Sequence, residues 1–512
     1  MQNMNRRQFL GMAVAGICAG VGAMSWQAAA KPGDAGKRMN VLHLISDDLR
    51  ACMGCYGDPM IQTPNIDRLA SRGVRFEHAY CQFPLCNPSR ASFMTGLRPD
   101  TIRVWDNQVN FRDTTPDAVT IAQSFQQAGY SVARVGKIYH YGVPRGIGTS
   151  GLDDPASWEQ FVNPRGRDMD DVPIIEVLAL GADGRATTVM GKQPQDMGGT
   201  LSWLAADGTD RDQTDGIGAV EAVKLLEQYS AHDKPFYLAV GFYRPHTPYV
   251  APKAYYEKYP LEEIKVPKVA ENLNDLFPAP ALSAQKAVHL AMDDELKRRA
   301  LQAYAAATTF MDAQVGYVVD ALERLGMADN TIIVFHSDHG YHLGEKNLWQ
   351  KMSIFEESAR VPMIVHVPGN EANGATCTRP VELVSLHKTL TDLAEVKSSA
   401  KPDGPSFAAL VKKPDARWRH AAYSQVNRGG IPGVTRAANS PAPSGANNWK
   451  EPIWGRSVRT ERWRYTEWDD GRAGAELYDH DADPLEMKNL AEDPGHAREV
   501  KKLKRILSKV RK

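Results

Sequence analysis

Two short apolar segments that run directly into acidic residues constrain the fold of this chain more than any other feature. Residues 41–46 (VLHLIS) are followed by Asp47 and Asp48, and residues 331–335 (TIIVF) are followed by 336–340 (HSDHG). Uninterrupted apolar runs of this length are typical of strands that are buried on both faces of a parallel or mixed sheet. The sequence therefore predicts an α/β fold with a large mixed central sheet flanked by helices.

The acidic residues at the ends of these two strands predict a cation site. In open α/β sheets, ligands bind at the carboxyl ends of the strands, so Asp47, Asp48 and Asp338 are expected at one edge. Adjacent carboxylates repel each other unless a cation or a proton lies between them. Carboxylates suit calcium or magnesium, whereas His339 is a less usual ligand for either. A helix cap followed by a solvated turn is the alternative, but it accounts better for one aspartate than for two.

The run from Cys86 to Gly96 (CNPSRASFMTG) holds the candidate nucleophile. Pro88 fixes its own φ and restricts the residue before it, so a helix is predicted to begin at Pro88 or later. Ser89 and Arg90 then lie in a first helical turn, where free N–H groups favour a bound anion. A lone cysteine beside a Pro-Ser turn is also typical of a small core residue, so Cys86 alone leaves both interpretations open.

Four further basic side chains are candidates for contacts with an anionic substrate. Lys137 and His140 lie three residues apart, just beyond a predicted strand at 131–135. His246 lies between two prolines after another predicted strand, a rigid position that suits a general acid. Lys351 follows a glycine-bearing loop. Lysine and histidine are common in loops, so each of these residues taken alone is weak evidence.

The first thirty residues predict an export signal rather than part of the fold. Arg6 and Arg7 precede Phe9 and Leu10, and an apolar, glycine- and alanine-rich stretch follows, as in a cleaved twin-arginine signal peptide. A membrane anchor is the alternative, but the apolar stretch is shorter than a span requires. No later stretch is apolar enough to cross a bilayer. We therefore expect a periplasmic or secreted bacterial protein with no transmembrane segment after cleavage.

The rest of the chain predicts one large domain and a smaller one. The 61 basic and 61 acidic residues balance, so overall charge gives no reason to expect a nucleic-acid partner. The regions 144–216 and 427–451 are rich in turn residues and are predicted to be long loops. Short alternating segments after residue 451 predict an antiparallel sheet. The predicted division is a signal at 1–30, a catalytic domain at 39–415 and a C-terminal subdomain at 416–512.

The Cys86 run, with its Cys-x-Pro-Ser-Arg followed by Thr-Gly, resembles the signature of type I sulfatases, in which the cysteine is oxidised after translation to formylglycine. The other motifs of that family occur in the expected order along the chain, with one before the Cys86 run and three after it. They are Asp47-Asp48, Gly136-Lys137 with His140, Arg244-Pro245-His246 and Ser337-Asp338-His339-Gly340. The similarity is strongest to the iduronate-2-sulfatase branch, which has histidine where many sulfatases have asparagine at the position of His339. The resemblance implies an alkaline-phosphatase-like sandwich with a smaller C-terminal α+β subdomain that contains an antiparallel sheet.

The same resemblance implies an activity and a set of roles. Calcium, or magnesium as the alternative, is expected to be bound by the modified Cys86 and by four other residues: Asp47, Asp48, Asp338 and His339. The implied catalytic residues are Cys86, Arg90 and Lys137 at the sulfate, His140 at the hydrated aldehyde, and His246 and Lys351 at the leaving oxygen. The implied substrate is a sulfated carbohydrate, such as a 2-O-sulfated uronic acid unit of a polysaccharide that is being degraded. The implied partner is a formylglycine-generating or anaerobic sulfatase-maturating enzyme.

Two other functions remain open at this point. A phosphonate monoester or phosphodiester hydrolase shares the fold and the metal motifs. A noncatalytic protein that binds sulfated glycans, with Cys86 left unmodified, is the alternative from a different class.

Overall fold

Nineteen strands and fifteen α-helices occur in residues 38–192, 197–429 and 452–510, which are the residues that the computed structural model describes. The strands are β1 Asn40–Ser46, β2 Val74–Tyr80, β3 Ser131–Gly136, β4 Gln160–Val162, β5 Glu176–Leu180, β6 Ala186–Met190, β7 Ser202–Ala206, β8 Phe236–Gly241, β9 Tyr249–Pro252, β10 Thr331–Ser337, β11 His342–Leu343, β12 Trp349–Gln350, β13 Arg360–His366, β14 Thr376–Cys377, β15 Val381–Glu382, β16 Ala422–Arg428, β17 Ile453–Arg459, β18 Trp463–Trp468 and β19 Ala475–Asp479. The helices are α1 Pro64–Ala70, α2 Cys86–Thr95, α3 Pro99–Ile102, α4 Phe111–Thr114, α5 Ile121–Gln127, α6 Thr214–Ser230, α7 Lys253–Tyr256, α8 Leu273–Leu276, α9 Ala279–Leu282, α10 Ala287–Leu290, α11 Asp294–Arg324, α12 Glu356–Ala359, α13 Leu386–Leu393, α14 Ala408–Lys412 and α15 Ala497–Val510. The predicted signal at 1–30 lies outside the described residues.

A nine-stranded mixed sheet forms the centre, in the order β14-β2-β13-β10-β1-β8-β3-β4, with β15 paired to β2. Strands β10, β1, β8 and β3 are neighbours and run parallel. Strand β13 runs antiparallel to both of its neighbours, β10 and β2. The four parallel strands consist of fully buried residues, as expected for strands covered on both faces. The large mixed sheet that the apolar runs predict is confirmed.

Helices cover both faces of this sheet and give the fold its three layers. Alternate residues of β1 point to opposite faces, so Val41 and Ile45 lie in one apolar core and Leu42 and Leu44 in the other. Helices α2, α5 and α13 pack over the first core, and α1, α6 and α11 over the second. Helix α11 is buried along most of its length. The two layers hold the sheet rigid, which fixes the positions of its strand ends.

The C-terminal part contains the predicted antiparallel sheet. Strands β16, β17, β18 and β19 pair in sequence order, each antiparallel to the next. Helix α15 buries Leu503 and Leu507 against this sheet and leaves its lysines and arginines on the other side. The boundary at 415/416 stays a prediction. Among the described residues, no helix is both long and apolar enough to cross a membrane.

The prediction that residues 144–216 are long loops is wrong in part. Strands β5, β6 and β7 lie in this region and join β9 in a second four-stranded sheet, in the order β6-β5-β7-β9. These strands have five residues each, and β6 is mostly exposed, so their apolar periodicity is weak. Residues 427–451 are likewise not all loop, because Asn427 and Arg428 belong to β16, while 430–451 lie outside the described residues.

Helix α2 begins at Cys86, two residues earlier than predicted. Pro88 is the third residue of the helix, where its missing N–H has no intrahelical acceptor to lose. The side chain of Asn87 donates to the carbonyl oxygens of Asp106 and Val109, at 2.8 Å each. These two bonds hold Asn87 in the helical conformation that the following proline disfavours. Cys86 therefore occupies the first helical position.

Candidate active site

The carboxyl ends of four neighbouring parallel strands converge on one place at the edge of the central sheet. In the pairing of β1 with β10, Ser46 lies opposite Ser337, so Asp47 and Asp338 follow at the same level. Strand β3 leads into Lys137. Strand β8 leads into the loop that carries the candidate general acid. The expectation that the two acidic strand ends share one edge is confirmed.

Asp47 and Asp48 are fully buried, and each contacts its own lysine. The Lys137 ammonium donates to Asp47 Oδ2, and the Lys351 ammonium lies 2.5 Å from Asp48 Oδ1. Burial alone would raise the pKa of Asp47, but Lys137 above all, together with other nearby positive charges, holds it well below its ordinary value. His246 Nε2 lies 3.7 Å from Asp48 Oδ2. The two carboxylates therefore lie within a ring of basic side chains.

The backbone of Asp48 has a left-handed conformation, with φ of 64°, which is rare for a residue other than glycine. The Tyr304 hydroxyl donates to the Asp48 carbonyl oxygen at 2.9 Å and accepts the N–H of Arg50 at 3.1 Å. The Ser337 hydroxyl accepts the N–H of Leu49 at 2.9 Å. These bonds tie the acidic turn to α11 and to β10. The role of Tyr304 has no sequence signal, because an aromatic residue in a long amphipathic helix is typical of core packing.

Cys86 is fully buried at the start of α2 and is surrounded by positive charge. Its Sγ lies 3.2 Å from Lys351 Nζ and 3.4 Å from His339 Nε2. Burial alone would raise the pKa of the thiol, but Lys351, Lys137 and His339 hold it well below its ordinary value. Burial lowers the pKa of His140 to about 4, although its hydrogen bond to the sulfur of Cys86 opposes this shift. Cys86 is thus not an ordinary small core residue.

Arg90 links the Cys86 helix to both acidic strand ends. Its Nε donates to Asp338 Oδ2 at 2.9 Å, and its Nη2 lies 3.3 Å from Asp47 Oδ1. Its Nη1 donates to the carbonyl oxygen of Lys137 at 2.6 Å. Burial raises the pKa of Asp338 to about 7, against the effect of Arg90. Burial lowers the pKa of His339, but the neighbouring Asp338 outweighs it and raises that pKa to about 9.

One group of ligand atoms in this site has the composition of a cation site. Atoms from Asp47, Asp48, Cys86 and His339 all lie within 4.8 Å of one another. Asp47 Oδ1 and Asp48 Oδ2 are buried and have no hydrogen-bond partner. Buried carboxylate oxygens normally accept hydrogen bonds. These two lie near positive charges, Arg90 Nη2 at 3.3 Å and His246 Nε2 at 3.7 Å, but accept no hydrogen bond, and such oxygens fit a hard cation. Asp338 lies outside this group of four, and its oxygens accept hydrogen bonds from Arg90 and from the N–H of His339.

The loop that carries His246 is fixed by two aspartates that the sequence did not single out. Asp168 accepts from Arg244 Nη2 at 2.6 Å. Asp215 accepts the N–H groups of Tyr243 and Arg244 at 2.8 and 2.9 Å. Burial raises the pKa of Asp215 to about 6, although Arg244 opposes it. Asp168 lies in the region predicted as loop, where no periodicity marked it.

The structure thus brings all the predicted site residues together in one buried site. Comparison with known proteins shows the family of the chain. The sequence profile of the sulfatase family matches residues 39–396. The chain belongs to the sulfatase family. It is similar to mouse iduronate 2-sulfatase, with 33% identity over 92% of this chain and 94% of the relative. Human iduronate 2-sulfatase is 32% identical over 95% of this chain and 96% of its own length.

Solved structures of sulfatase-like enzymes share the fold. The phosphonate monoester hydrolase of Agrobacterium radiobacter superposes with a TM-score of 0.70 at 21% identity, covering 93% of this chain and 95% of the other. At that identity the likeness concerns the fold alone. The predicted family and the predicted fold class are both confirmed, and the chain is a sulfuric ester hydrolase of the sulfatase family.

Proposed function

We propose that this sulfatase removes a sulfate ester from a sulfated carbohydrate, with a 2-O-sulfated uronic acid as the substrate unit, through a formylglycine formed from Cys86. The observation that carries the proposal is the buried Cys86 thiol beside two buried carboxylate oxygens that accept no hydrogen bond, with Lys351 Nζ at 3.2 Å. The similarity to two iduronate 2-sulfatases over nearly their whole length supports the choice of substrate.

The proposed metal is calcium, and magnesium fits the same oxygen atoms. The residues that would hold it are Asp47, Asp48, Asp338 and His339, together with an oxygen of the modified Cys86. Replacing the sulfur of Cys86 by oxygen turns a soft donor into a hard one, which suits these cations better. When bound, the cation would supply positive charge against the oxygens that become more negative in the transition state.

The formylglycine explains why a cysteine is needed at this position. Its hydrated aldehyde carries two hydroxyl groups, of which one attacks sulfur and the other expels the sulfate by restoring the aldehyde. A cysteine or serine side chain has no second hydroxyl and would remain sulfated. Over one cycle, the ester and one water become the free alcohol, sulfate and a proton.

The neighbouring side chains supply charge and move protons. Lys137 and Lys351 place ammonium groups where negative charge spreads over the sulfate oxygens. Arg90, which lies on α2 with Cys86, orients the nucleophile through its bonds to Asp338 and to the carbonyl oxygen of Lys137. His246 protonates the departing alcohol, and Lys351 is the other group placed to do so. His140 is neutral, because burial lowers its pKa to about 4, so its ring can accept the proton of the second hydroxyl.

The proposed export and maturation follow from the predicted leader and from Cys86. A twin-arginine signal at residues 1–30 would carry the folded protein to the periplasm or the outside of the cell. A formylglycine-generating or anaerobic sulfatase-maturating enzyme would act on Cys86 before this export. We retain 39–415 as the proposed catalytic domain and 416–512 as the proposed C-terminal subdomain.

The test is release of inorganic sulfate from a 2-O-sulfated uronate disaccharide. The protein is co-expressed with a formylglycine-generating enzyme, and the aldehyde at residue 86 is verified by mass spectrometry. We expect release by the matured protein and none by a Cys86→Ala control. No release by verified formylglycine protein would contradict the substrate.

A second measurement separates the proposed activity from its rival in the same fold. The matured protein is given an aryl sulfate and an aryl phosphonate monoester with the same leaving group. We expect a higher kcat/KM for the sulfate. The reverse order would favour the phosphonate monoester hydrolase, and an unmodified thiol at residue 86 in protein from the native host would favour a noncatalytic binding protein.

A further inference from the structure

Lys286, which directly precedes α10, carries a positive charge with no acidic partner among the described residues. Its Nζ donates to the carbonyl oxygen of Gly199 and to Oε1 of Gln350, at 2.5 Å each. Both acceptors are neutral, so the charge stays uncompensated. Burial, with a contribution from the nearby Lys351, lowers the pKa of Lys286 to about 8. Lys286 is half-buried, and a partly desolvated ammonium without a carboxylate partner can pair with an anionic ligand.

Lys286 lies at the edge of the proposed active site. Its hydrogen-bond partner Gln350 immediately precedes Lys351, whose Nζ is 3.2 Å from Cys86 Sγ. Its other partner, Gly199, is exposed, whereas Gln350 is buried. The Lys286 ammonium therefore lies between an exposed loop and the inner lysine of the site. A substrate whose sulfate reached Lys351 would bring its neighbouring substituents close to Lys286.

His289 provides an independent sign of a binding site. It lies three residues after Lys286, on α10, and is only 2% exposed. Neither of its ring nitrogens has a hydrogen-bond partner among the described residues. Burial and the charge of Lys286 hold its pKa well below the ordinary value, so the ring is neutral and carries one N–H donor. A buried polar ring without a partner is unfavourable unless a ligand or water supplies one.

We propose that Lys286, with His289 beside it, binds a second anionic group of the saccharide, the carboxylate of the uronic acid unit. This inference rests on the proposed function, because it takes the sulfate at Lys351 as the reference point. An ammonium and a ring N–H make charge-assisted hydrogen bonds to a carboxylate. A sulfate ester of a sugar without a carboxylate lacks this second charge. The pair therefore selects sulfated uronic acids over sulfated neutral sugars.

The first test is a binding measurement that does not depend on turnover. Cys86→Ala protein is titrated by calorimetry with a 2-O-sulfated uronate disaccharide and with its carboxyl-reduced counterpart. Adding Lys286→Gln should weaken binding of the uronate by about tenfold, as expected for the loss of one charge-assisted bond, and leave the reduced sugar unchanged. Lys286→Arg should restore most of the affinity. Lys224→Gln, which changes an exposed lysine paired with Glu221, is the matched control.

The second test is kinetic and uses the matured enzyme. Lys286→Gln should raise KM for the uronate substrate about tenfold with little change in kcat, because the lost contact is made equally in the ground state and the transition state. Equal binding of both sugars by wild-type and Lys286→Gln protein would overturn the inference. A loss only for substrates with an additional sulfate would assign the site to that sulfate and contradict the carboxylate. Absence of sulfate release by the wild type would refute the proposed function, while calorimetry would still decide the role of Lys286.

Discussion

Two buried clusters of charged residues in this molecule have similar composition but differ in how completely they are paired. One is the candidate active site. The other, here called the C-terminal ion cluster, consists of Glu356, Arg459, Arg464, His480 and Glu486. Both contain a group of carboxylate and histidine atoms close enough to hold a metal. The difference lies in the hydrogen bonds that these atoms already make.

In the C-terminal ion cluster, Arg464 lies between the two carboxylates. It contacts Glu356 Oε2, and its Nε lies 2.5 Å from Glu486 Oε1. Tyr80 donates to the other oxygen of Glu356, and the N–H of Glu356 donates to the other oxygen of Glu486, both at 2.8 Å. No buried side-chain nitrogen or oxygen of these five cluster residues lacks a partner. The cluster is complete without an ion and joins the central fold to the C-terminal sheet.

In the active site the pairing is incomplete. Arg90 Nη2 lies 3.3 Å from Asp47 Oδ1, and His246 Nε2 lies 3.7 Å from Asp48 Oδ2, but Asp47 Oδ1, Asp48 Oδ2 and Arg90 Nη2 are buried and make no hydrogen bond. Asp48 also has a left-handed backbone. Unsatisfied buried groups and unusual backbone conformations persist where a ligand or a reaction uses them. Incomplete hydrogen bonding of buried polar atoms, rather than the number of buried charges, separates the reactive site of this molecule from the structural one.

Cys86→Ser is expected to have the largest effect, a loss of activity with little change in stability. Turnover should fall by at least about 10⁴-fold, because a serine sulfate ester cannot be expelled. Stability should change little, since the small side chain carries no packing that serine cannot replace. Sulfate release and thermal unfolding of the same preparation measure both effects. Substantial multiple turnover by Cys86→Ser would contradict the mechanism.

The opposite pattern is expected from Arg464→Met in the C-terminal ion cluster. Arg464 is 1% exposed, and removing it takes away the guanidinium that the two buried carboxylates share. Glu356 then keeps Arg459 at 3.4 Å and Glu486 keeps His480 at 3.0 Å, and the loss should destabilise the fold by about 3 kcal/mol. Denaturant unfolding measures the change. Arg165→Met, at an exposed pair with Asp170, is the control and should unfold like the wild type. Equal stability of Arg464→Met and wild type would show that the cluster is not structural.

The sequence predicts the residues of the active site better than it predicts the contacts that hold those residues in place. The strand ends at Asp47 and Asp338 could be found because each follows a continuous apolar run, and parallel strands place such ends together. Cys86 could be found because its neighbours form a long motif. Tyr304 could not, because its role depends on a hydroxyl that reaches a turn some 250 residues earlier in the chain.

The errors in the fold have a similar origin. Strands β5 to β7 were not predicted because they are short and partly exposed, so their sequences lack a clear alternation of apolar and polar residues. The start of α2 was misplaced because the side-chain bonds of Asn87 offset a local rule about the residue before proline. For the strands the local pattern was too weak to read, and for α2 contacts from outside the helix outweighed a local preference.

Metal binding should distinguish the two clusters directly. Calcium added to chelator-treated wild type at a hundred times its Kd should stabilise the fold by about 2.7 kcal/mol. Asp48→Asn should lose most of this gain, since one of the unpartnered oxygens is removed. Glu486→Gln should be less stable but keep the full calcium-dependent gain. Thermal unfolding with and without calcium measures the stabilisation of each variant. If Glu486→Gln loses the calcium-dependent gain and Asp48→Asn keeps it, the cation binds in the C-terminal ion cluster and the proposed metal site is wrong.

The smallest expected effect tests whether the left-handed turn at Asp48 is held for the cation. Tyr304→Phe removes one hydroxyl that bonds to the Asp48 carbonyl and to the N–H of Arg50, without changing a ligand. Calcium affinity should fall about tenfold, the lower end of what is lost when residues that orient metal ligands are changed. Calorimetric titration of the metal-free protein measures it.

Tyr259→Phe is the matched control, because its hydroxyl also accepts a backbone N–H, that of Gln62 at 2.9 Å, and also bonds to a second group, Thr309. Its hydroxyl does not contact the acidic turn. Both variants should lose comparable stability, since each loses a buried hydroxyl with two hydrogen bonds. Only Tyr304→Phe should also lose calcium affinity. If the two variants bind calcium equally well, Tyr304 supports the fold alone. The conformation of Asp48 is then held by its own N–H bond to Asp338 and by the bond of Leu49 N–H to Ser337.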